Sequence, residues 1–126
     1  MIRFLLDTPE LIRRMPWRTL WQVVQVVRLG IHKHRNDAWY NTTFSTRYWI
    51  EKLVRHLIGE LLGHEGDHES GLPPLAHGIC NAMMHNEAKQ RGLLLDDRAE
   101  VLTDLLTNRE WLADQVRRVY SQRRAA

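Results

Sequence analysis

The chain has 126 residues, of which 44% are apolar and 26% are charged, with a formal net charge of +3. This composition excludes a disordered protein, and the length leaves room for one domain over residues 1–126. No apolar run reaches ~18 residues and residues 1–7 lack the features of a signal peptide, so we expect no membrane partner. The single cysteine excludes an internal disulfide and a cysteine-rich zinc site, and it predicts a reducing cytoplasm.

The first half of the chain shows helical spacing of apolar residues, and we predict an all-α fold, a small bundle of about four to five helices. Thr8 and Pro9 have the features of a helix start, and Pro16 is expected to end this element and open a second helix. The second helix should reach about His32, although its valines make a strand at 22–27 a minor alternative. Residues 35–44 are polar and rich in turn formers, which predicts a loop.

The second half of the chain is also predicted to be helical. Ser45 or Thr46 should cap a helix that reaches about Leu62, and a loop over 63–74 follows. Further helices are expected over about 75–89, from Asp96 or Asp97, and over about 109–118 with Asn108 as its cap. Five tryptophans and the apolar faces left over by these helices predict a homo-oligomer, a dimer or a tetramer.

Histidines and carboxylates concentrate in the middle of the chain. His56 and Glu60 are four residues apart and share one helix face, which suits a metal ligand, a general base or a half-exposed pair. The residues alone favour the half-exposed pair. Glu65, Asp67 and Glu69 repel one another unless a cation lies among them, so the loop is either a site for Mg²⁺ or Mn²⁺ or a solvated acidic loop.

His77 and Asn81 form a second polar pair at helical spacing. They lie opposite the apolar residues of their helix, so they face either solvent or a polar cavity shared with His56 and Glu60. Cys80 falls on the apolar side, which argues against a catalytic thiolate. The chain has no glycine-rich phosphate loop and no other standard hydrolase motif.

The stretch from Arg55 to Asn81 resembles the phage dATP/dGTP diphosphohydrolase family, which is related to the MazG-like all-α nucleotide pyrophosphohydrolases. It follows the family's order of Arg-His-Leu, an acidic loop, Glu-Ser-Gly-Leu-Pro, Leu-Ala-His and a final Asn. The run over 69–73 followed by His77 is the most specific part. The resemblance covers roughly residues 25–87.

Four departures distinguish this chain from the family pattern. His64 and His32 stand where acidic residues are usual, which alters the carboxylates available to a metal. Pro74 replaces a common histidine. Ala38 replaces the asparagine that precedes Trp39 in the family, so we expect a base or sugar contact from Asn36 or Asn41 instead.

The resemblance implies a metal-dependent hydrolase that cleaves dGTP or dATP to the nucleoside monophosphate and pyrophosphate, with Mg²⁺ or Mn²⁺ as cofactor. It also implies the host cytoplasm if the chain is phage-encoded. The two histidines could act as base, ligand or phosphate donor. With the resemblance we predict catalytic roles for His56, Glu69, His77 and Asn81, metal binding by Glu60, Glu65, Asp67 and Glu69, and substrate binding by Lys33, Asn36 and Trp39.

The main alternative is a small basic helical DNA-binding or regulatory protein of a phage. Residues 109–124 are rich in arginine and would then contact phosphates. The acidic loop argues against DNA on its own face, and nothing resembles a recognition helix with a preceding tight turn. We therefore favour the hydrolase and expect no nucleic-acid partner.

Overall fold

Helices account for most of the computed structural model, which describes residues 8–34 and 38–125. The all-α fold class is confirmed, with seven helices and a two-stranded sheet in these ranges. None of the helices in the described ranges is long and apolar enough to cross a membrane. In chain order the elements are α1 (Thr8–Arg14), α2 (Trp17–His34), α3 (Ala38–Asn41), β1 (Phe44–Ser45), α4 (Thr46–Leu61), α5 (Pro74–Gln90), β2 (Leu94–Leu95), α6 (Arg98–Thr107) and α7 (Arg109–Ala125).

Local capping residues set the ends of the two helices that bracket the second half of the chain. Ser45 has extended backbone angles, and its hydroxyl accepts a hydrogen bond from the N–H of Tyr48 at 3.1 Å, which satisfies a free donor of α4. Gly63 follows the end of α4 with a φ of 78°, a conformation that favours glycine. Asn108 Oδ1 accepts from the N–H of Trp111 at 2.9 Å. The predicted caps of both helices are confirmed.

The predicted loop over 35–44 is wrong in part, because it contains α3 and the first residue of β1. β1 pairs in parallel with β2, Phe44 opposite Leu94 and Ser45 opposite Leu95. A two-residue strand shows no alternation of apolar and polar residues, so its own pattern cannot reveal it. The helix count of four to five is too low because α1 and α3 are short, and α7 continues past Arg118 to Ala125.

The core lies between α2 and α5, and α4 packs along the other side of α5. Val23 and Val26 of α2 are buried against Ala76 and Cys80 of α5. The strand alternative for 22–27 is wrong, since these valines lie on the buried face of a helix. Cys80 is buried and unpaired, as its place on the apolar side predicted.

Polar contacts fasten the last two helices to α4. Trp111 on α7 donates its indole N–H to Glu51 Oε1 at 2.8 Å. Arg47 forms an ion pair with Asp104 on α6, with 2.6 Å between Nη2 and Oδ2. The most deeply buried side chain in this region is Gln115 on α7, which is 2% exposed. These contacts make α6 and α7 part of one packed body with α4.

Candidate active site

A pocket of about 720 Å³ opens between α2, α4, α5 and the loop over 63–73, with residues of α7 at its edge. This volume lies in the range of small-molecule sites. The pocket collects most of the residues that the sequence predicted to act together. Those that line it are Lys33, His56, Glu65, Asp67, Glu69, His77 and Asn81.

One described residue among the predicted site residues, Glu60, does not reach this pocket. Glu60 is exposed and lies outside the lining, although it shares a helix with His56. The face of α4 that lines the pocket includes Lys52, His56 and Gly59. Glu60 lies off this face and is exposed to solvent. Asn36 and the side chain of Trp39 lie outside the described part of the chain.

Two histidine rings stack in the pocket wall. The centroids of His56 on α4 and His77 on α5 are 4.9 Å apart, and the ring planes are inclined by 22°. α5 comes this close because Gly78 has no side chain: a Cβ there would lie 3.2 Å from Leu53 Cδ1 and 3.7 Å from His56 Cβ. Of the two alternatives left open for His77, solvent or a polar cavity shared with His56 and Glu60, the structure shows a cavity shared with His56 but not with Glu60.

Both imidazoles are held in the neutral form. Burial, and then the nearby His77, lower the pKa of His56 from its ordinary value to about 4. Burial also lowers the pKa of His77, although Asp67 and Glu69 act in the opposite direction. Each ring is therefore unprotonated near pH 7 and has a nitrogen that can accept a proton, although the lowered pKa also makes each ring a weaker base.

Ser70 fixes the ring of His77. Its Oγ lies 2.7 Å from His77 Nε2, and it also accepts a hydrogen bond from the N–H of Leu72 at 3.0 Å. Asp67 Oδ1 is 3.9 Å from the same ring nitrogen. Ser70 was not among the predicted site residues, although it lies within the Glu-Ser-Gly run that carries the family resemblance.

The acidic loop is folded around the carboxylate of Asp67. Its Oδ1 accepts backbone hydrogen bonds from Glu69 at 2.9 Å and Ser70 at 3.3 Å. Burial raises the pKa of Asp67, but these backbone bonds and the nearby histidines lower it further than burial raises it. The backbone of Asp67 also donates to Leu72 and accepts from Gly71. Asp67 therefore organises the loop as well as contributing charge to the pocket.

An ion pair joins the acidic loop to α2. Lys33 Nζ lies 3.1 Å from Glu69 Oε1 and 2.8 Å from Oε2. The hydrogen bond from Lys33 lowers the pKa of Glu69. Both side chains are about half exposed, so the pair adds little to folding stability and can exchange partners readily.

The described side chains do not by themselves form a metal site. No group of three metal-ligating residues is present among residues 8–34 and 38–125. The Asp67 carboxylate is engaged by backbone N–H groups, and Glu69 is engaged by Lys33. Glu65 lines the pocket but is exposed, and Glu60 is outside it. Glu65, Asp67 and Glu69 thus line one pocket without forming a three-residue ligand group.

Aromatic residues form another wall of the pocket. Phe44 and Tyr48 stack with ring centroids 4.4 Å apart, and Trp49 meets both rings edge-on. Lys52 donates to the hydroxyl of Tyr48 at 2.8 Å. These four residues were not among the predicted site residues. Their apolar surface next to charged groups suits a ligand with one flat apolar end and one anionic end.

The comparison with known families matches most of the chain. The family model described as dATP/dGTP diphosphohydrolase, N-terminal, matches residues 7–98. The chain belongs to this family of dATP/dGTP diphosphohydrolase N-terminal domains. No curated protein and no solved structure gives a significant match.

The match to the dATP/dGTP diphosphohydrolase N-terminal family confirms the resemblance and extends it on both sides of residues 25–87. The family supports a nucleotide hydrolase, and the pocket lining from Lys33 to Met84 falls inside the matched range. α7 lies outside the match, yet Val119 and Gln122 contribute to the same pocket.

Proposed function

We propose that this chain hydrolyses a purine deoxynucleoside triphosphate, dGTP or dATP, between the α and β phosphates. The products are the nucleoside monophosphate and pyrophosphate. One observation carries the proposal: in a chain of this family, the neutral pair His56 and His77 shares a pocket with Asp67 and with the ion pair of Lys33 and Glu69.

The histidine pair is proposed to activate the attacking water. A water oxygen attacks the α phosphorus, the bond from this phosphorus to the oxygen that bridges the α and β phosphates breaks, and pyrophosphate leaves. The water proton passes to a ring nitrogen of His56 or His77, which the lowered pKa values keep available. Asn81, half-buried in the same wall, is proposed to orient the water or the substrate.

The proposed substrate contacts follow from the charges around the pocket. Lys33 neutralises phosphate charge, and Glu69 holds its ammonium in place before substrate arrives. Trp39 is proposed to stack on the base, and Asn36 to contact the base or the sugar. A polyphosphate is best stabilised by groups that are already positioned, because little reorganisation is then needed.

Mg²⁺ or Mn²⁺ remains the proposed cofactor, with Asp67, Glu69 and Glu65 as its proposed ligands. Such an ion would neutralise phosphate charge and lower the pKa of water. Because the described carboxylates form no three-residue group, substrate phosphates would have to complete the coordination of such an ion. Magnesium commonly binds through one or two carboxylates and substrate phosphates together, which fits such a site.

The proposal also covers assembly and location. Trp17 and Trp21 on α2 are 55% and 61% exposed, which supports a homo-oligomer in which a second copy covers them. Cys80 is free, which agrees with a reducing cytoplasm. No nucleic-acid partner is proposed.

Product analysis tests the proposed reaction. The protein is incubated with each deoxynucleoside triphosphate and Mn²⁺, and the products are resolved by chromatography. We expect the purine monophosphate and pyrophosphate, and a loss of about 100-fold or more in turnover for Glu69→Gln with unchanged helical content. Glu87→Gln is the matched control, because Glu87 is exposed on α5 and outside the pocket.

Two results would contradict this account. Release of inorganic triphosphate together with a nucleoside would exclude cleavage between the α and β phosphates. Full turnover by Glu69→Gln would remove this carboxylate from the active site.

A further inference from the structure

Arg55 on α4 stands between two neighbouring pockets. It lines the main pocket of about 720 Å³ and also a smaller one of about 440 Å³ beside α7. Gln122 is likewise shared by both linings. The Arg55 side chain is half-buried, so its position is set by the protein and its charge is partly withdrawn from water.

Among the described residues, no carboxylate forms an ion pair with Arg55. Glu51 and Asp114 are close enough to favour its charged form, but neither lies within ion-pair distance. Glu51 accepts a hydrogen bond from Trp111 Nε1 at 2.8 Å. Asp114 is paired with Arg118, with 2.9 Å between Oδ2 and Nε. Both carboxylates are therefore engaged elsewhere on α7.

Arg55 is held instead by a neutral group. Its Nη1 donates to Oε1 of Gln115 at 2.9 Å. Gln115 is 2% exposed, so its side chain is locked by the packing of α7 against α4. An amide oxygen fixes the direction of a guanidinium group and leaves its positive charge available to another partner. Burial lowers the pKa of Arg55, which a bound anion would oppose.

We propose that Arg55 binds the polyphosphate of the substrate and that Gln115 is the positioning residue that holds it in place. This inference rests on the proposed function, since it assumes an anionic ligand in the main pocket. It assigns a role in the site to α7, which lies beyond the matched residues 7–98.

Two substitutions separate the charge of Arg55 from its packing. Arg55→Met keeps a long side chain and removes the charge. Gln115→Glu keeps an oxygen that can accept the hydrogen bond from Arg55 and replaces the neutral amide with a charged carboxylate. If Gln115 were only structural, Gln115→Glu would bind ligand like the wild type. If Gln115 keeps the charge of Arg55 available, the ion pair between Arg55 and the new carboxylate in Gln115→Glu will compete with phosphate for the guanidinium group. Arg109→Met is the matched control, because Arg109 is exposed at the start of α7 and lines neither pocket.

Calorimetric binding provides the readout without turnover. The probe is a dGTP analogue with a methylene bridge between the α and β phosphorus atoms, compared with deoxyguanosine. We expect the dissociation constant of the analogue to rise about tenfold or more in Arg55→Met and about fivefold in Gln115→Glu. Arg109→Met should match the wild type, and the affinity for deoxyguanosine should be the same in all four proteins. Thermal unfolding checks that Gln115→Glu remains folded.

The outcomes distinguish this inference from the proposed function. Unchanged analogue binding by Arg55→Met, with normal hydrolysis by the wild type, overturns the inference alone. Wild-type affinity in Gln115→Glu overturns the positioning role of Gln115. A wild-type protein that neither binds the analogue nor hydrolyses any deoxynucleotide overturns both.

Discussion

Replacing His56 by glutamine is predicted to reduce the loss of folding stability when the protein is acidified. The pKa of His56 is lowered from 6.5 to about 4, chiefly by burial. Between these two values the unfolded chain binds a proton at this position and the folded protein does not. The free energy of unfolding must then fall as the pH falls through this window, and it reaches its full value only above the unfolded pKa.

The size of this effect follows from the two pKa values. At pH 5 the unfolded-state histidine is mostly protonated and the folded His56 is mostly neutral, which corresponds to about 2 kcal/mol at most. Since the ring lines an open pocket and is not fully buried, solvent screening reduces the expected loss to about 1 to 2 kcal/mol. Glutamine has no proton to exchange in this range. Its variant keeps only the smaller pH dependence of other groups, His77 among them.

Urea unfolding followed by circular dichroism measures the effect. The free energy of unfolding is determined for both proteins at pH 5, 6, 7 and 8 without added metal. We expect the difference between pH 7 and pH 5 to be about 1 to 2 kcal/mol smaller in His56→Gln. Between pH 7 and pH 8 the two proteins should change nearly in parallel, because His56 is then mostly neutral in both the folded and the unfolded state. Equal losses between pH 7 and pH 5 would show that His56 is not held neutral in the folded protein.

Two further substitutions probe the loop and its ion pair. A Cβ on Gly66 would lie 2.7 Å from the carbonyl oxygen of Gly71, so Gly66→Ala should lower the free energy of unfolding by about 2 kcal/mol. Gly30→Ala in α2 is the control in thermal unfolding, because a Cβ at Gly30 would meet no atom within 4 Å, and it should raise the free energy of unfolding by about 0.5 kcal/mol. A change of the same sign in both variants would contradict the packing argument. Lys33→Met should weaken binding of a non-hydrolysable triphosphate by about tenfold in calorimetry and let the pKa of Glu69 rise, whereas unchanged affinity would remove Lys33 from the phosphate site.

Local patterns predicted the features that depend on neighbours in sequence. The Ser45 cap, the Asn108 cap and the burial of Cys80 each follow from residues within one or two helical turns. The shared pocket of His56 and His77 was one of two open alternatives, because helical spacing fixes a face without showing what covers it. The family resemblance favoured the correct alternative.

Long-range contacts account for most of what the sequence analysis missed. Lys33 meets Glu69 from 36 positions away, and Arg55 meets Gln115 from 60 positions away. No periodicity links such residues, since the packing of helices decides which faces meet. Helical spacing can also suggest a contact that does not form. Glu60 lies four residues after His56, which predicted that both reach the pocket, yet Glu60 is exposed and does not line it.

The charge balance of the pocket supports the proposed divalent cation. Counting the histidines as neutral, the charged lining consists of three cations and three carboxylates, which leaves no net positive charge. A nucleoside triphosphate adds about four negative charges, and in a partly buried pocket water screens the repulsion between these charges and the carboxylates poorly. Release of Lys33 from Glu69 would direct one cation to phosphate but would free a carboxylate beside it. The proposed divalent cation, entering with the nucleotide, would resolve both problems, because it would neutralise phosphate and give the freed carboxylate a partner. The charged residues in this balance are Lys33, Lys52, Arg55, Glu65, Asp67 and Glu69.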